Sequence, residues 1–257
     1  MDEYIMDDGI HLHIKTDLPK DFSGKCPLVV VVHGFTGHME ERHITAVSGM
    51  LNEIGFATLC VDMYGHGNSG GEFKNHTLYK WMTNAMTVID YVRSLSFVTD
   101  IYLCGHSQGG LTIMLAAAQK KDVIRGIIPM SPAITIPEYA RRGNLLGVEF
   151  DPCHIPEEIH SPNGWVLSGN HVRVAQMIRV EDAIDRYTGP VLIVHGNADE
   201  TIPARYSVEA AERYQNAELR LIHGDTHCYD YHLEEAVEAV KTWMMNQREY
   251  CINEHGG

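Results

Sequence analysis

Residues 101–110, Ile101-Tyr102-Leu103-Cys104-Gly105-His106-Ser107-Gln108-Gly109-Gly110, decide how this chain reads. An apolar, strand-like run stops at Gly105, and Leu111–Gln119 (LTIMLAAAQ) continues in good helix formers. Between them lies Gly105-x-Ser107-x-Gly109. A serine on a sharp strand-to-helix turn is held in a strained backbone conformation, where side chains two positions to either side would clash. Glycines remove that clash and leave the hydroxyl exposed. The first helical turn also offers unpaired N–H groups to a developing negative charge. Chance is the competing explanation in a chain with 23 glycines. What decides is whether partners for a nucleophile follow downstream in the right order.

The surrounding chain alternates strand and helix patterns. Pro27–Val32 (PLVVVV) is a continuous apolar run, expected of a strand buried on both faces, and it ends in His33-Gly34-Phe35-Thr36-Gly37. A helix is expected over 38–54, stopped by Gly55, and then a strand over 56–61. The loop Asp62-Met63-Tyr64-Gly65-His66-Gly67-Asn68-Ser69 reads as structural, because no GKS/T follows to hold a phosphate. A helix over 77–95 precedes the central stretch, and Arg125–Met130 is a further strand. After 131–188 the rhythm restarts with Val191–Val194. A helix near 204–214, a strand over 218–222 and a helix near 230–246 complete it. Such alternation predicts an α/β fold, a mostly parallel central sheet with helices on both faces. Residues 1–18 predict an antiparallel hairpin about Asp8-Gly9, with His11 and His13 as surface residues.

Residues 131–188 break the pattern with prolines 137, 152, 156 and 162 and many charges, and no buried strand pattern appears there. This segment is expected to be a small cap over the site, poor in core residues. The rest, 1–130 and 189–257, forms the core domain.

Two downstream loops supply partners for Ser107. Asp199 follows VLIVHGNA and His227 follows LRLIHGDT, each just after a strand. A serine hydroxyl needs a base to take its proton and a carboxylate to orient that base. The order Ser107…Asp199…His227 is that of the α/β-hydrolase fold, and a parallel sheet brings its strand ends to one edge. Glu200, Asp225 and Asp62 are the alternatives for the acid, while His195 and His223 are expected to satisfy backbone groups. An oxyanion needs two N–H donors, which the Gln108 and Phe35 backbones should give.

Composition narrows the class. The chain has 257 residues, 44% hydrophobic and 21% charged, enough to bury one large core. A formal net charge of −14 argues against nucleic acid and anionic membrane as partners. The start, Met1-Asp2-Glu3-Tyr4, lacks the basic-then-apolar pattern of a secretion signal, and no apolar run nears the ~20 residues of a membrane helix. Six cysteines form no CxxC pair, and Cys60 and Cys104 lie in apolar runs, so buried free thiols and a cytoplasmic location are expected. No metal or other cofactor is expected. The partner is a small ester, and a homodimer stays open.

The motifs HGFTG, DMYGHGNSGG, GHSQGG, HGNADETIP and HGDTHCY together resemble those of α/β-hydrolase serine esterases, over essentially the whole chain. Within 131–188, GNLLGVEFDPCHIP and VRVAQ are similar to the cap of bacterial cinnamoyl (feruloyl) esterases. That resemblance implies hydrolysis of small acyl or aryl esters, hydroxycinnamates among them, through an acyl-enzyme on Ser107. In that family polar cap residues contact the ring hydroxyls of the substrate. The matching positions here fall near Tyr139, Leu146 and His171, and none keeps the family residue. Trp165 joins them as a candidate for the lining or as a packing residue that holds the cap. Monoacylglycerol lipases share the scaffold and are a second relative. A hydrolase-fold binding protein with incidental turnover is the reading from another class.

Overall fold

The computed structural model describes residues 2–255, and the side chains of residues 3–247. The chain opens with a hairpin of β1 (Asp2–Asp7) and β2 (Ile10–Asp17). Its two turn residues, Asp8 and Gly9, have φ of 50° and 76°, the backbone twist that a two-residue hairpin requires. Then follow β3 (Cys26–Val32), α1 (Arg42–Glu53), β4 (Ala57–Val61), α2 (Leu78–Ser94), β5 (Val98–His106), α3 (Gln108–Gln119) and β6 (Ile124–Met130). After the interruption come β11 (Val191–Gly196), α7 (Arg205–Arg213), β12 (Ala217–Ile222) and α8 (Leu233–His255). Among the described residues, eight strands form one sheet in the order β1-β2-β4-β3-β5-β6-β11-β12. β1, β2 and β4 pair antiparallel, and every later neighbour is parallel.

Helix α1 starts at Arg42, four residues later than the sequence pattern suggests. His38 and Glu41 close a turn first, through the Glu41 N–H to the His38 carbonyl at 3.3 Å. His13 is not a surface residue. It is 8% exposed, and its Nδ1 lies 3.0 Å from Asp62 Oδ2, while His11 is exposed.

The period-2 alternation of the strands divides the core between the two sheet faces. Leu28, Val30 and Val32 of β3 point with Ile101 and Leu103 into one cluster, roofed by α2 and α3. Val29 and Val31 point with Tyr102 and Cys104 into the other, where α1 and α8 pack. Burying a Val or Leu side chain contributes about 1.5–3 kcal/mol, so strands apolar on both faces are fixed in place by both layers. The thiols of Cys60 and Cys104 are buried and unpaired by disulfide; Cys251 lies outside the described side chains.

Residues 131–188 hold α4 (Thr135–Arg141), the two-residue strands β7 (Asn144–Leu145) and β8 (Val148–Glu149), and then β9 (Glu158–His160) and β10 (Val166–Ser168). Helices α5 (Gly169–Met177) and α6 (Val180–Arg186) follow. The segment is richer in core than its prolines and charges suggest. Ile136, Leu145, Ile159, Leu167, Val172 and Tyr187 are all buried in the first cluster. Strands of two or three residues are too short for alternation to register, which is why the sequence shows no strand there.

Candidate active site

Ser107 follows the last residue of β5 and caps α3. Its backbone lies at φ 53°, ψ −118°, a conformation that costs a non-glycine residue about 1–3 kcal/mol. The surroundings enforce it. The Ser107 N–H donates to the Met130 carbonyl at 2.9 Å, and the Ser107 carbonyl accepts from Leu111 and Ala133 at 3.1 and 2.9 Å. A β-carbon at Gly105 would meet the Gly109 carbonyl oxygen at 2.5 Å, and one at Gly109 would run into the His33 carbonyl. The two glycines therefore let strand, helix and the β3 terminus close around the serine.

Three strand ends meet here, after β5, β11 and β12. The Ser107 hydroxyl lies 2.9 Å from His227 Nε2, and His227 Nδ1 lies 2.6 Å from Asp199 Oδ2. Nδ1–H donates to the carboxylate, which leaves Nε2 as the acceptor for the serine proton. Ser107 is 8% exposed and Asp199 is buried. Burial alone would raise the Asp199 carboxyl. Hydrogen bonds from His195 Nε2 at 3.0 Å and from His227 outweigh it, as do the Thr201 and Ile202 N–H groups, each 2.8 Å from Oδ1. The carboxyl is thereby held well below the usual carboxylate range and stays charged beside the imidazole.

The other acidic candidates are occupied elsewhere. Asp225 accepts from the N–H groups of Thr226, Tyr231 and His232 at 2.9, 3.1 and 3.1 Å and so shapes the loop that carries His227. Asp62 accepts from Met39 and Asn68 N–H, both at 2.9 Å, and anchors the glycine-rich loop. Glu200 is exposed on the wall of the cleft. His223 is exposed at the end of β12, whereas His195 is buried. His195 satisfies the Ile202 carbonyl at 3.0 Å, as expected, but it also supports Asp199. The sequence gives no sign of that second bond, which arises because 195–202 folds back as a turn.

The N–H groups of Phe35 and Gln108 have no acceptor among the described residues. The turn that carries Phe35 is rigid. Met63 N–H donates to His33 Nε2 at 3.0 Å, so the other ring nitrogen carries the proton and donates to the Gly34 carbonyl at 2.8 Å. Desolvation of this fully buried ring pushes its pKa down to about 3, which keeps it in that neutral form. Gly34 itself is tight against Ser107, since a β-carbon there would lie 3.1 Å from Ser107 Cβ.

A cleft of about 1110 Å³ opens beside this group, with Phe35, Tyr139, Leu146, Trp165 and Glu200 on its walls. Ser107 is not itself on that lining; Phe35, and Glu200 beside Asp199, are. Leu146 stands 37% exposed at the tip of the β7–β8 turn, at φ 48° beside Gly147 at 85°. Trp165 borders the cleft and packs edge-on against Phe35 with ring centroids 5.5 Å apart. His171 is a correction. It is 1% exposed, lies off the cleft, and its Nδ1 is 3.1 Å from the His76 carbonyl. The face of α5 that carries it turns inward with Val172 and Ala175, so its imidazole fills the interior.

A strained serine backed by imidazole and carboxylate, on the carboxyl edge of a mostly parallel sheet, defines a class, and the chain belongs to the α/β-hydrolase family of serine hydrolases. It is a carboxylic ester hydrolase. Residues 25–152 match the family described as serine aminopeptidase, S33. The chain is 58% identical to Est1E from Butyrivibrio proteoclasticus, over 96% of this chain and 99% of that one. That protein's structure with ferulic acid bound superposes with a TM-score of 0.95. More distant relatives include human mitochondrial palmitoyl-protein thioesterase ABHD10, 23% identical over 81% of this chain and 70% of its own. Mouse monoglyceride lipase is 24% identical over 83% and 79%. No helix among the described residues is long and apolar enough to cross a membrane.

Proposed function

We propose that the protein hydrolyses esters of hydroxycinnamic acids through an acyl-enzyme on Ser107. The observation that carries this is the continuous relay Ser107–His227–Asp199 beside two unengaged N–H groups. Ser107 Oγ attacks the ester carbonyl carbon as His227 Nε2 takes its proton. The resulting oxyanion is met by the Phe35 and Gln108 N–H groups, and the alcohol leaves with the proton from His227. Water then repeats the sequence and releases the acid. Asp199 stays ionised and stabilises the imidazolium. The substrate class rests on the 58% identity to a protein that binds ferulic acid, and on the aromatic walls of the cleft.

In this reading residues 1–130 and 189–257 are the catalytic core and 131–188 is the cap, with Tyr139, Leu146 and Trp165 lining the acyl pocket. A flat aryl group suits such walls, and the hydrophobic contacts hold it while a few polar groups orient it. The free buried thiols at positions 60 and 104 suit a reducing compartment such as the cytoplasm.

The test compares wild type with Ser107→Ala on methyl cinnamate, coumarate, caffeate and ferulate, beside a monoacylglycerol and p-nitrophenyl acetate. Wild type should turn over all four aryl esters with kcat/KM within about tenfold of each other, because an apolar wall at Leu146 cannot demand a particular ring hydroxyl. Ser107→Ala should lose about 10⁴-fold or more in kcat on each while remaining folded. Retained activity would remove the nucleophile assigned here. Turnover of the aliphatic esters alone would remove the aryl specificity.

A further inference from the structure

His106 precedes the nucleophile and has no part in the chemistry above. Its ring is 3% exposed and its Nε2 lies 2.8 Å from the carbonyl oxygen of His227. A carbonyl only accepts, so Nε2 carries the proton and Nδ1 is the bare nitrogen. That Nδ1 is buried without a partner. The ring also touches the other parts of the site. The His43 ring of α1 packs on it at 4.2 Å and the His227 ring at 4.9 Å. A β-carbon at Gly34 would lie 3.1 Å from Nδ1, so the turn that carries Phe35 closes over the same imidazole. A buried, unpartnered nitrogen costs free energy that a phenyl ring of the same shape would avoid. What a histidine has here and a phenylalanine lacks is the bond from Nε2–H to His227.

We propose that His106 is a positioning residue: its Nε2–H fixes the backbone of His227 to the strand that carries Ser107, so that base and nucleophile keep their register. Asp199 orients the His227 ring but does not hold the main chain of the 226–230 loop. Asp225 and Arg42 hold that loop at Thr226 and Tyr229, and His106 holds it at His227 itself, from the residue adjacent to the nucleophile. Burial holds the His106 ring neutral, with its pKa well below the ordinary histidine value, so the donor persists across the working range.

The inference rests on His227 being the base, and His227→Ala tests that separately: activity kept in that variant would sink the triad itself. For His106, the variants are His106→Phe, which keeps the ring shape, and His106→Gln, whose side-chain amide can still donate. His106→Phe should lower kcat by about 10–100-fold on one aryl ester, since a misplacement near 1 Å can cost that much, with KM within about threefold. His106→Gln should recover most of that loss. Nitrogen NMR of the wild type should find the His106 ring neutral and protonated at Nε2 from about pH 5 to pH 8. Equal losses in the two variants, an unchanged kcat in His106→Phe, or a proton on Nδ1 would each overturn the proposal. If His106→Phe does not fold, the glutamine variant and the tautomer decide it: a glutamine variant that folds but is as inactive as His227→Ala would count against it.

Discussion

The strand-end cluster lies next to a cleft that segment 131–188 helps to line, and cluster and segment are built by different rules. Ser107, Asp199 and His227 each follow a parallel strand whose position two layers of apolar side chains dictate. Their polar atoms then connect into one chain of short hydrogen bonds. The segment 131–188 presents Tyr139, Leu146 and Trp165 from a helix end and two small ladders, and among the described residues no hydrogen bond joins these three to Ser107, His227 or Asp199. We expect the first arrangement to tolerate almost no substitution at its polar atoms, and the second to leave specificity free to change without disturbing the chemistry. Substitutions on the two sides should therefore fail in different ways.

The largest contrast lies within the cluster itself, between two buried carboxylates on neighbouring loops. Asp199→Asn should cut kcat by about 10³–10⁴-fold with little change in fold, because the imidazole loses the charge that stabilises its protonated form and the amide NH2 favours the wrong tautomer. Asp225→Asn should leave kcat within about tenfold and instead cost roughly 1–2 kcal/mol of stability, the worth of a buried group whose backbone donors lose part of their acceptor. Steady-state kinetics beside urea denaturation separates the two. Comparable kcat losses would mean that Asp225 contributes to the chemistry and that the assignment of the acid is incomplete.

The next contrast crosses the cleft. Trp165→Ala should raise KM for hydroxycinnamate esters by about tenfold, the effect of removing one aromatic contact of order 1.4 kcal/mol. Turnover of p-nitrophenyl acetate, whose acyl group carries no aryl ring, should stay within about twofold. Equal losses on both substrates would show that Trp165 acts through Phe35, against which it packs, and so through the oxyanion turn. Leu146→Asn is a companion. Asparagine accepts the positive φ at this turn more readily than leucine, so the variant should be at least as stable while binding aryl esters less tightly.

How much of this was legible follows the same division. The glycine spacing about Ser107 and the apolar runs before Asp199 and His227 are written in the sequence, because strand burial and backbone strain each demand particular residue types at fixed positions. The expected sheet, the hairpin at Asp8-Gly9 and the triad order all rest on those demands. The support behind the triad was not readable. The His195–Asp199 bond and the His106–His227 bond depend on how loops fold back across the strand ends, and a lone histidine in a sequence carries no sign of its partner. His13 misleads for the same reason, since its partner Asp62 lies 49 positions away. His171 misleads most. The resemblance to the feruloyl-esterase cap puts it at a position that contacts substrate, yet the helix that bears it packs its apolar side, and His171 with it, inward.

That inward packing gives the smallest of the expected effects, and it is a dependence of stability on pH. Burial pushes the pKa of His171 down to about 4, that of His43 to about 4 and that of His33 to about 3, from an ordinary 6.5. Between pH 6.5 and those values the unfolded chain takes up protons that the folded chain does not. The contribution of each ring is therefore complete above its unfolded pKa and is lost progressively as pH falls toward its folded pKa. Each adds a slope of up to about 1.4 kcal/mol per pH unit in that window. His171→Phe keeps a ring of similar size in the interior, gives up one hydrogen bond to the His76 carbonyl, and removes one titrating group. At pH 7 it should cost roughly 1 kcal/mol for the lost bond, and between pH 6 and pH 5 its stability should fall less steeply than that of wild type by about 1 kcal/mol. Urea midpoints at the three pH values measure both terms. The aryl-ester KM of the same variant should stay within about twofold, because the ring lies off the cleft. A slope identical to wild type would mean that His171 is protonated or solvated in the folded protein. A large rise in KM would return it to the substrate wall, where the sequence first suggested it.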